Sequence, residues 1–542
     1  MGSLLLAGVS LILFVIAYRF YGRFLEKLWD ISPERKTPVS EKQDGVDYVP
    51  AKHWTILFGH HFASISGAGP ILGPVIACML WGWLPAALWI IFGSILLGGV
   101  HDFASLVLSL RHKGKSIGDI TESVMGRRSK IVFSLFLWFT LILVVAVFAS
   151  VTANTLVQEP EIVIPSFGLI LVAIVFGFFV YRLRWHYLYA TMGALVLLSA
   201  LFVLGGRFPL SFPSAGALQF WIAALLVYSF VASIIPVHFL LQPRDYLSSF
   251  ILVAGLVIGY AGLLTARPEI NAPAYISFSA GQKGTLWPMM FVLIACGAIS
   301  GFHSLVSSGT TSKQLTNERD AKKIGYGGML TEGVLSILAL LCVCAGLCWN
   351  KAGSALNYPE LMASGNWIGT FAAGYGQITS KIFNPAIGKM LAIVMINAFV
   401  LTTLDTATRI TRYLSQELFG DTWNIKIFKS RHFSTFVVVL TAGWLALGNW
   451  QKIWPVFGAA NQLVAAIALF VAGLFLLRGK KFSKTAFIPA AFMFLTTIAA
   501  LLYQAQGFYK SKNFLLGNIA IFLVVLAVFV IAEGARLLLR KL

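Results

Sequence analysis

The sequence predicts an all-α polytopic membrane protein with about fifteen transmembrane helices, built on two inverted five-helix repeats that contain broken helices. Composition gives the class: 58% of the 542 residues are hydrophobic and only 11% are charged, against about 25% charged in a soluble protein. Apolar runs of roughly the 20 residues that a bilayer crossing requires recur along the whole chain. One of them, from Lys52 to Cys78, carries His60, His61, Ser64 and Ser66 and then Gly67, Gly69, Pro70, Gly73 and Pro74. Such a run unwinds a helix by removing donors and adding backbone freedom. Hydrocarbon cannot satisfy the freed amides and carbonyls, so the break belongs inside protein or beside a polar cavity, where half-helix ends make an ion and substrate site.

In order, the apolar runs fall near residues 3–18, 54–79, 84–110, 131–156, 162–181, 187–205, 217–241, 247–266, 287–311, 327–349, 384–411, 433–449, 454–477, 486–503 and 514–538. The first has the apolar stretch of a signal sequence but no basic residues before it and no good cleavage site, so a retained span is expected. Strongly basic loops lie at 111–130, 181–187, 312–323, 409–432 and 477–484 and in the tail 535–542. All fall on one side if the N-terminus is outside and the C-terminus cytoplasmic, which an odd number of spans allows. The net charge of +20 therefore belongs to cytoplasmic loops, and no basic stripe or motif points to nucleic acid. Cys78, Cys296, Cys342, Cys344 and Cys348 sit in apolar segments at helical spacing, as buried small hydrophobes rather than a disulfide framework or zinc knuckle.

Internal symmetry follows from two spans. The broken span at 54–79 is followed by four others; the span at 217–241, with Pro236 in its middle, is again followed by four and runs the opposite way. That is the inverted-repeat plan of secondary transporters. It divides the chain into 1–53 (first span and cytoplasmic loop), 54–206 (first repeat), 207–415 (second, inverted repeat) and 416–542 (accessory helices). No soluble domain fits the loops.

Three stretches, GHHFASISGAGPILGP (59–74), ISGFHSLVSSGTTSK (299–313) and TTLDTATRITRY (402–413), with DGVDYVPAKHW (44–54) before the first, resemble the carbon starvation protein A family of bacterial inner-membrane transporters. The resemblance runs from about residue 1 to 420. It implies a leucine-transporter-like core in the amino acid, polyamine and organocation superfamily. It also implies uptake of pyruvate or small peptides during carbon starvation, in some members by proton symport. In that fold the first and eighth core helices, here 54–79 and 287–311, meet around a cation site of unwound carbonyls and hydroxyls.

Several side chains suit such chemistry. His60 and His61 are about 100° apart on a helix, so one can line a cavity while the other packs; histidine's ordinary pKa near 6.5 suits a proton coupler. Neutral histidines can equally hydrogen-bond between helices. The amides of Ser66, Gly67, Ala68 and Gly69, beside Ser64, form a carboxylate cradle at a half-helix N-terminus. Ser304, Ser307, Ser308, Thr310 and Thr311 offer oxygens to a hard cation such as sodium, or bond their own helix backbone. His101 and Asp102 lie toward the cytoplasmic end of their span, where the acid must pair, as with an Arg or Lys near the interface, or be protonated. His303 lies on the eighth core helix. Asp405 stands four residues before Arg409, which makes a local ion pair the simplest arrangement and a gating role the alternative. Glu332 is expected near the interface as a structural acid. His60, His61, His101 and His303 show no metal motif in their spacing, so no metal site is assigned.

The expectation is thus a secondary transporter with a small-molecule substrate and the bilayer as its partners, no cofactor, and a coupling proton, with sodium possible. Substrate contacts fall to His60, His61, Ser64, Ser66, Gly67, Ala68 and Gly69. Coupling or gating falls to His101, Asp102, His303, Ser307, Ser308, Thr311 and Asp405. A channel or a nutrient sensor is the alternative; an enzyme ranks low because no Ser/His/Asp, HExxH or Walker spacing is present.

Overall fold

A computed structural model describes residues 2–212, 216–351, 353–448, 450–481 and 483–539; the end of the basic tail, 540–542, lies outside the described residues. Among those residues the chain forms helices and no strands. Twelve helices are long and apolar enough to cross a membrane, and a pair bent by 42° adds a thirteenth span. In chain order these elements are α1 (Ser3–Leu28), the bent pair α2 (Trp54–Ile65) and α3 (Gly69–Trp81), α4 (Trp83–Arg111), α5 (Arg127–Gln158), α6 (Pro160–Arg182), α7 (Tyr187–Arg207), α8 (Ala217–Ile234) and α9 (Leu241–Ala266). A short α10 (Gly301–Gly309) follows, then α11 (Lys322–Cys344), α12 (Pro385–Thr422), a short α13 (Arg431–Ala446), α14 (Ile453–Arg478), α15 (Lys484–Lys510) and α16 (Phe514–Leu537).

Two of the fifteen expected spans account for the difference. The segment near 287–311 is helical at 288–293, after an extended Trp287 (φ −104°, ψ 127°), leaves helix across 294–300 and resumes as α10. The segment near 433–449 is the 16-residue α13, shorter than a full crossing. Pro236 also acts elsewhere than expected. It follows the end of α8 at Ile234, with Ile235 held extended (φ −68°, ψ 153°), because a residue before proline is driven out of the helical region. The chain turns through 235–240 and α9 starts at Leu241. The second interruption inside an apolar span is therefore at 294–300.

The two interruptions pack on each other. A Cβ on Gly69 would lie 2.7 Å from Cys296 Cβ, and one on Gly73 would lie 2.7 Å from the Leu293 carbonyl oxygen. Only glycine lets the backbones approach so closely. Gly73→Ala should therefore overpack a contact whose far side is main chain and cannot rotate away, costing about 1–3 kcal/mol. A lowered thermal midpoint of the purified protein is the expected result, and an unchanged one would deny this crossing. Outer helices present large apolar side chains, including Leu171, Val196 and Leu440, to the surroundings, as lipid contact requires.

Candidate transport site

The break between α2 and α3 strands the last carbonyls of one helix and the first amides of the next. Two hydroxyls from α12 satisfy the carbonyls: Thr402 Oγ1 donates to Ala63 O at 2.7 Å and Thr403 Oγ1 to Ser64 O at 3.2 Å. The Ser66 and Gly67 amides donate to Phe62 and Ile65, so two of the four amides expected in the carboxylate cradle are already engaged. Those of Ala68 and Gly69 remain at the start of α3, where Pro70, lacking an N–H, fits the first turn without loss. Ser66 Oγ is buried without a partner among the described residues.

Beside the break lies a buried ionic network. Arg244, near the start of α9, donates from Nη2 to Asp405 Oδ1 at 2.9 Å and from Nε to Asp245 Oδ1 at 3.1 Å, while its Nη1 meets Asp405 Oδ2 and the Tyr228 hydroxyl. Tyr228 donates to Asp405 Oδ2 at 2.7 Å. Asp245 Oδ2 faces His60 Nδ1 at 2.6 Å and accepts from Ser64 Oγ at 3.4 Å. On its other side His60 Nε2 stands 3.2 Å from Gln314 Nε2, whose amide oxygen accepts from Gln242 at 2.6 Å. Arg244, Asp245, Asp405, His60 and Ser64 are all 0% exposed. One guanidinium thus serves two carboxylates, so the network keeps one excess negative charge when His60 is neutral. The expected pair of Asp405 with Arg409 is not formed: successive turns of α12 aim the two side chains at different partners.

A second buried cluster lies across α2. Asp102 accepts at Oδ1 from His101 Nδ1 at 2.7 Å and at Oδ2 faces His303 Nδ1 at 2.8 Å. His303 Nε2 is 3.2 Å from Glu332 Oε2. Asp102 therefore pairs with histidines rather than Arg or Lys. Glu332 is 0% exposed, not interfacial, because α11 begins ten residues earlier and has carried it into the protein. His61 points toward this cluster: its Nδ1 is 2.9 Å from Thr311 Oγ1, and a Cβ on Gly328 would meet its ring at 3.2 Å. The two adjacent histidines so diverge, His60 to the Arg244 network and His61 to the Glu332 side. Among the described residues no three His, Cys, Asp or Glu side chains are arranged to hold a metal ion.

The hydroxyls of α10 divide in the same way. Ser304, Ser308 and Thr310 donate to the carbonyls of Gly301, Ser304 and Val306, Thr311 meets His61, and Ser307 Oγ is buried without a partner among the described residues. Asn461 of α14 caps α10, accepting from the Phe302 amide at 2.7 Å and donating to Ser300 Oγ at 2.9 Å.

On the face carrying the basic loops, Asp47 pairs with two arginines of α12, a candidate latch. Asp47, in the loop before α2, takes Arg409 Nη1 at 2.9 Å and lies 3.5 Å from Arg412 Nη2. Burial opposes ionisation of Asp47, but Arg412, Arg409 and Lys313 together outweigh it and hold its carboxyl below the usual range. A depressed carboxyl stabilises the latch at every pH above the unfolded value near 4 and loses it only as pH falls through the lower folded value. In a background carrying Ser307→Cys, Asp47→Asn should therefore speed alkylation of that cysteine several-fold, and the ratio of the two rates, in which the thiolate fraction cancels, should stay constant between about pH 8 and 5. Equal rates in variant and parent would deny the latch.

A sequence profile described as Carbon starvation protein CstA matches residues 2–365 and 350–500. The chain belongs to the carbon starvation protein CstA family. It is 32% identical to the peptide transporter CstA of Escherichia coli over 92% of this chain and 80% of that one, and 31% identical to the pyruvate/proton symporter BtsT of the same organism over 92% and 81%. The peptide transporter CstA of Bacillus subtilis is 30% identical over 99% and 97%. Among solved structures, a manganese transporter of Eremococcus coleocola superposes with a TM-score of 0.54 at 11% identity, covering 91% of this chain and 99% of that one. That likeness is one of fold. The chain is accordingly a multi-span membrane protein of a bacterial transporter family.

The stretches that carry the CstA resemblance are the ones that build the site. Residues 59–74 supply His60 and the break, 299–313 supply His303, 402–413 supply Asp405 and Arg409, and 44–54 supply Asp47. The partners outside them include Tyr228, Gln314, Asn461 and Glu332, and Gln242, Arg244 and Asp245 in QPRD at 242–245. The available signal was an Arg–Asp pair in a connection of about five residues between two apolar runs, too short to carry charges far from the membrane.

Proposed function

We propose that this protein imports a small carboxylate-bearing nutrient, pyruvate or a short peptide, across the bacterial inner membrane by proton symport. The single observation that carries this reading is Arg244, a buried guanidinium beside the helix break, shared between Asp245 and Asp405. A substrate carboxylate arriving at the break replaces one of those acids on Arg244, in the bidentate geometry that guanidinium favours. The Ala68 and Gly69 amides and Ser66 receive its remaining lone pairs, and His60 and Ser64 hold Asp245 in place. The carboxylate–histidine groups His101, Asp102 and His303 couple the step to protons, with His61, Ser307, Ser308 and Thr311 between the two clusters. The N-terminus lies outside and the basic loops in the cytoplasm, so the Asp47 latch closes the inner side; rocking of one helix group against the other opens the two sides in turn. The names of the E. coli relatives, one a peptide transporter and one a pyruvate/proton symporter, support this substrate class and coupling. The protein acts as a transporter, not an enzyme, and needs no cofactor.

Proteoliposomes with an inward proton gradient test the proposal using labelled pyruvate and labelled dialanine, with and without sodium. Saturable accumulation of either compound, collapsed by a protonophore and indifferent to sodium, is expected. A strict sodium requirement would overturn the coupling, conductance without saturation would mark a channel, and binding without uptake would mark a sensor.

A further inference from the structure

We infer that Asp102, His303 and Glu332 hold one exchangeable proton and carry it through the transport cycle, with Glu332 as its terminal acceptor. The inference rests on the symport reading above and names the proton's site.

Hydrogen-bond bookkeeping supplies the argument. His303 faces a carboxylate at each ring nitrogen: Nδ1 is hydrogen-bonded with Asp102 Oδ2 at 2.8 Å, and Nε2 stands 3.2 Å from Glu332 Oε2, close but out of line for a hydrogen bond. A neutral imidazole has one N–H and one bare lone pair. If both acids were ionised, one of these two contacts would set a lone pair against a carboxylate oxygen in a site closed to water. One proton beyond the neutral ring removes the conflict. It resides on Glu332 while His303 donates from Nδ1 to Asp102, or on Asp102 while His303 donates from Nε2 to Glu332. Passing between these states moves a proton from Glu332 to Nε2 as the Nδ1 proton moves to Asp102. The total of two protons and the neutral ring are unchanged.

The surroundings agree. Asp102, His303 and Glu332 are each 0% exposed. The titratable groups facing the cluster are His101 from α4, His61 from α2 and Cys296 from the 294–300 break; none is a permanent cation, and Arg244 is engaged across α2. A buried carboxylate without a cationic partner is held only by taking a proton. Both Glu332 oxygens and His303 Nε2 lack an aligned hydrogen-bond partner among the described residues, as do the nearby buried atoms His61 Nε2 and Ser336 Oγ. Ser336 stands one turn beyond Glu332 and against the second break, since a Cβ on Gly297 would press on its side chain, 3.1 Å from Ser336 Cβ. Glu332 therefore faces the place where the two interrupted helices cross, and movement of that crossing changes its environment.

The test compares the parent with Glu332→Gln and Asp102→Asn in proteoliposomes, using labelled pyruvate or dialanine, in two assays: accumulation under an inward proton gradient, and exchange of labelled for unlabelled substrate at equal pH. Exchange requires no net proton release. Both variants should lose gradient-driven accumulation by at least about tenfold while exchange falls less than about twofold, a split within the usual range of coupling energies. Unaltered accumulation in Glu332→Gln overturns the inference, and so does equal loss in both assays, which is the mark of a structural role. If the parent accumulates neither compound, the symport reading itself fails. The site is then still read by infrared titration of the purified protein, where the protonated-carboxyl band should be present in the parent and removed by Glu332→Gln; identical spectra overturn the inference.

Discussion

Replacing Arg244 with glutamine should abolish uptake, by roughly 30-fold or more, because truncating one member of a buried hydrogen-bonded charge set costs about 2–5 kcal/mol. The variant leaves Asp245 and Asp405 facing each other with no cation between them. It should therefore also lose stability, by about 3–5 kcal/mol if neither acid finds a proton. Arg244→Lys should not rescue uptake, since a single ammonium cannot reach Asp245, Asp405 and Tyr228 together as the planar fork does. Folding and function separate in the double variant Arg244→Gln/Asp405→Asn. One cation and one anion are removed, so the net charge of the network returns to that of the parent. Thermal stability should recover and uptake should not. Recovery of both would mean that Arg244 is only a strut.

Asp405→Asn should split the kinetic constants. In the parent, substrate competes with Asp405 for Arg244, so neutralising the competitor should lower KM. The same substitution removes the group that returns to Arg244 when substrate leaves, so the maximal rate should fall, by about tenfold for each 1.4 kcal/mol of tighter holding. Initial rates of uptake against substrate concentration read both constants. A raised KM would contradict the exchange of partners, because it would mean that Asp405 helps to bind substrate rather than yielding to it. Tyr228, which donates to Asp405 in the parent, can donate equally to the new amide oxygen, so the fold around it is retained.

Much of this arrangement was legible in the sequence. The break at 66–68 follows from the Gly and Pro run, and the apolar runs located every membrane segment, because hydropathy and helix breakers act locally. Two runs could not be sized. The 294–300 interruption contains no proline and one glycine, Gly297, so its own residues signal a break weakly, while it packs closely against α3. Pro236 shows the converse: its local effect was as expected, but whether it breaks a span or closes one depends on where α8 ends. Partners were least legible. Asp405 had Arg409 one turn away, yet it bonds Arg244, which is 161 positions distant in the chain, while Arg409 reaches back to Asp47. Glu332 read as interfacial because it lies near the start of its apolar run, and only the tertiary structure brings His303 to it. Pairings of this kind are set by packing, and helical spacing alone favours the wrong neighbour.

The central claim, that Arg244 recognises a substrate carboxylate, is most directly tested by binding rather than by flux. Labelled pyruvate and labelled dialanine would be bound to the purified protein and competed with pyruvate, pyruvamide, dialanine and dialanine amide. The account predicts that in the parent each acid competes and its amide does not, and that Arg244→Gln, supported by Asp405→Asn, binds neither label. Equal competition by acid and amide, or binding that survives without the guanidinium, would contradict it.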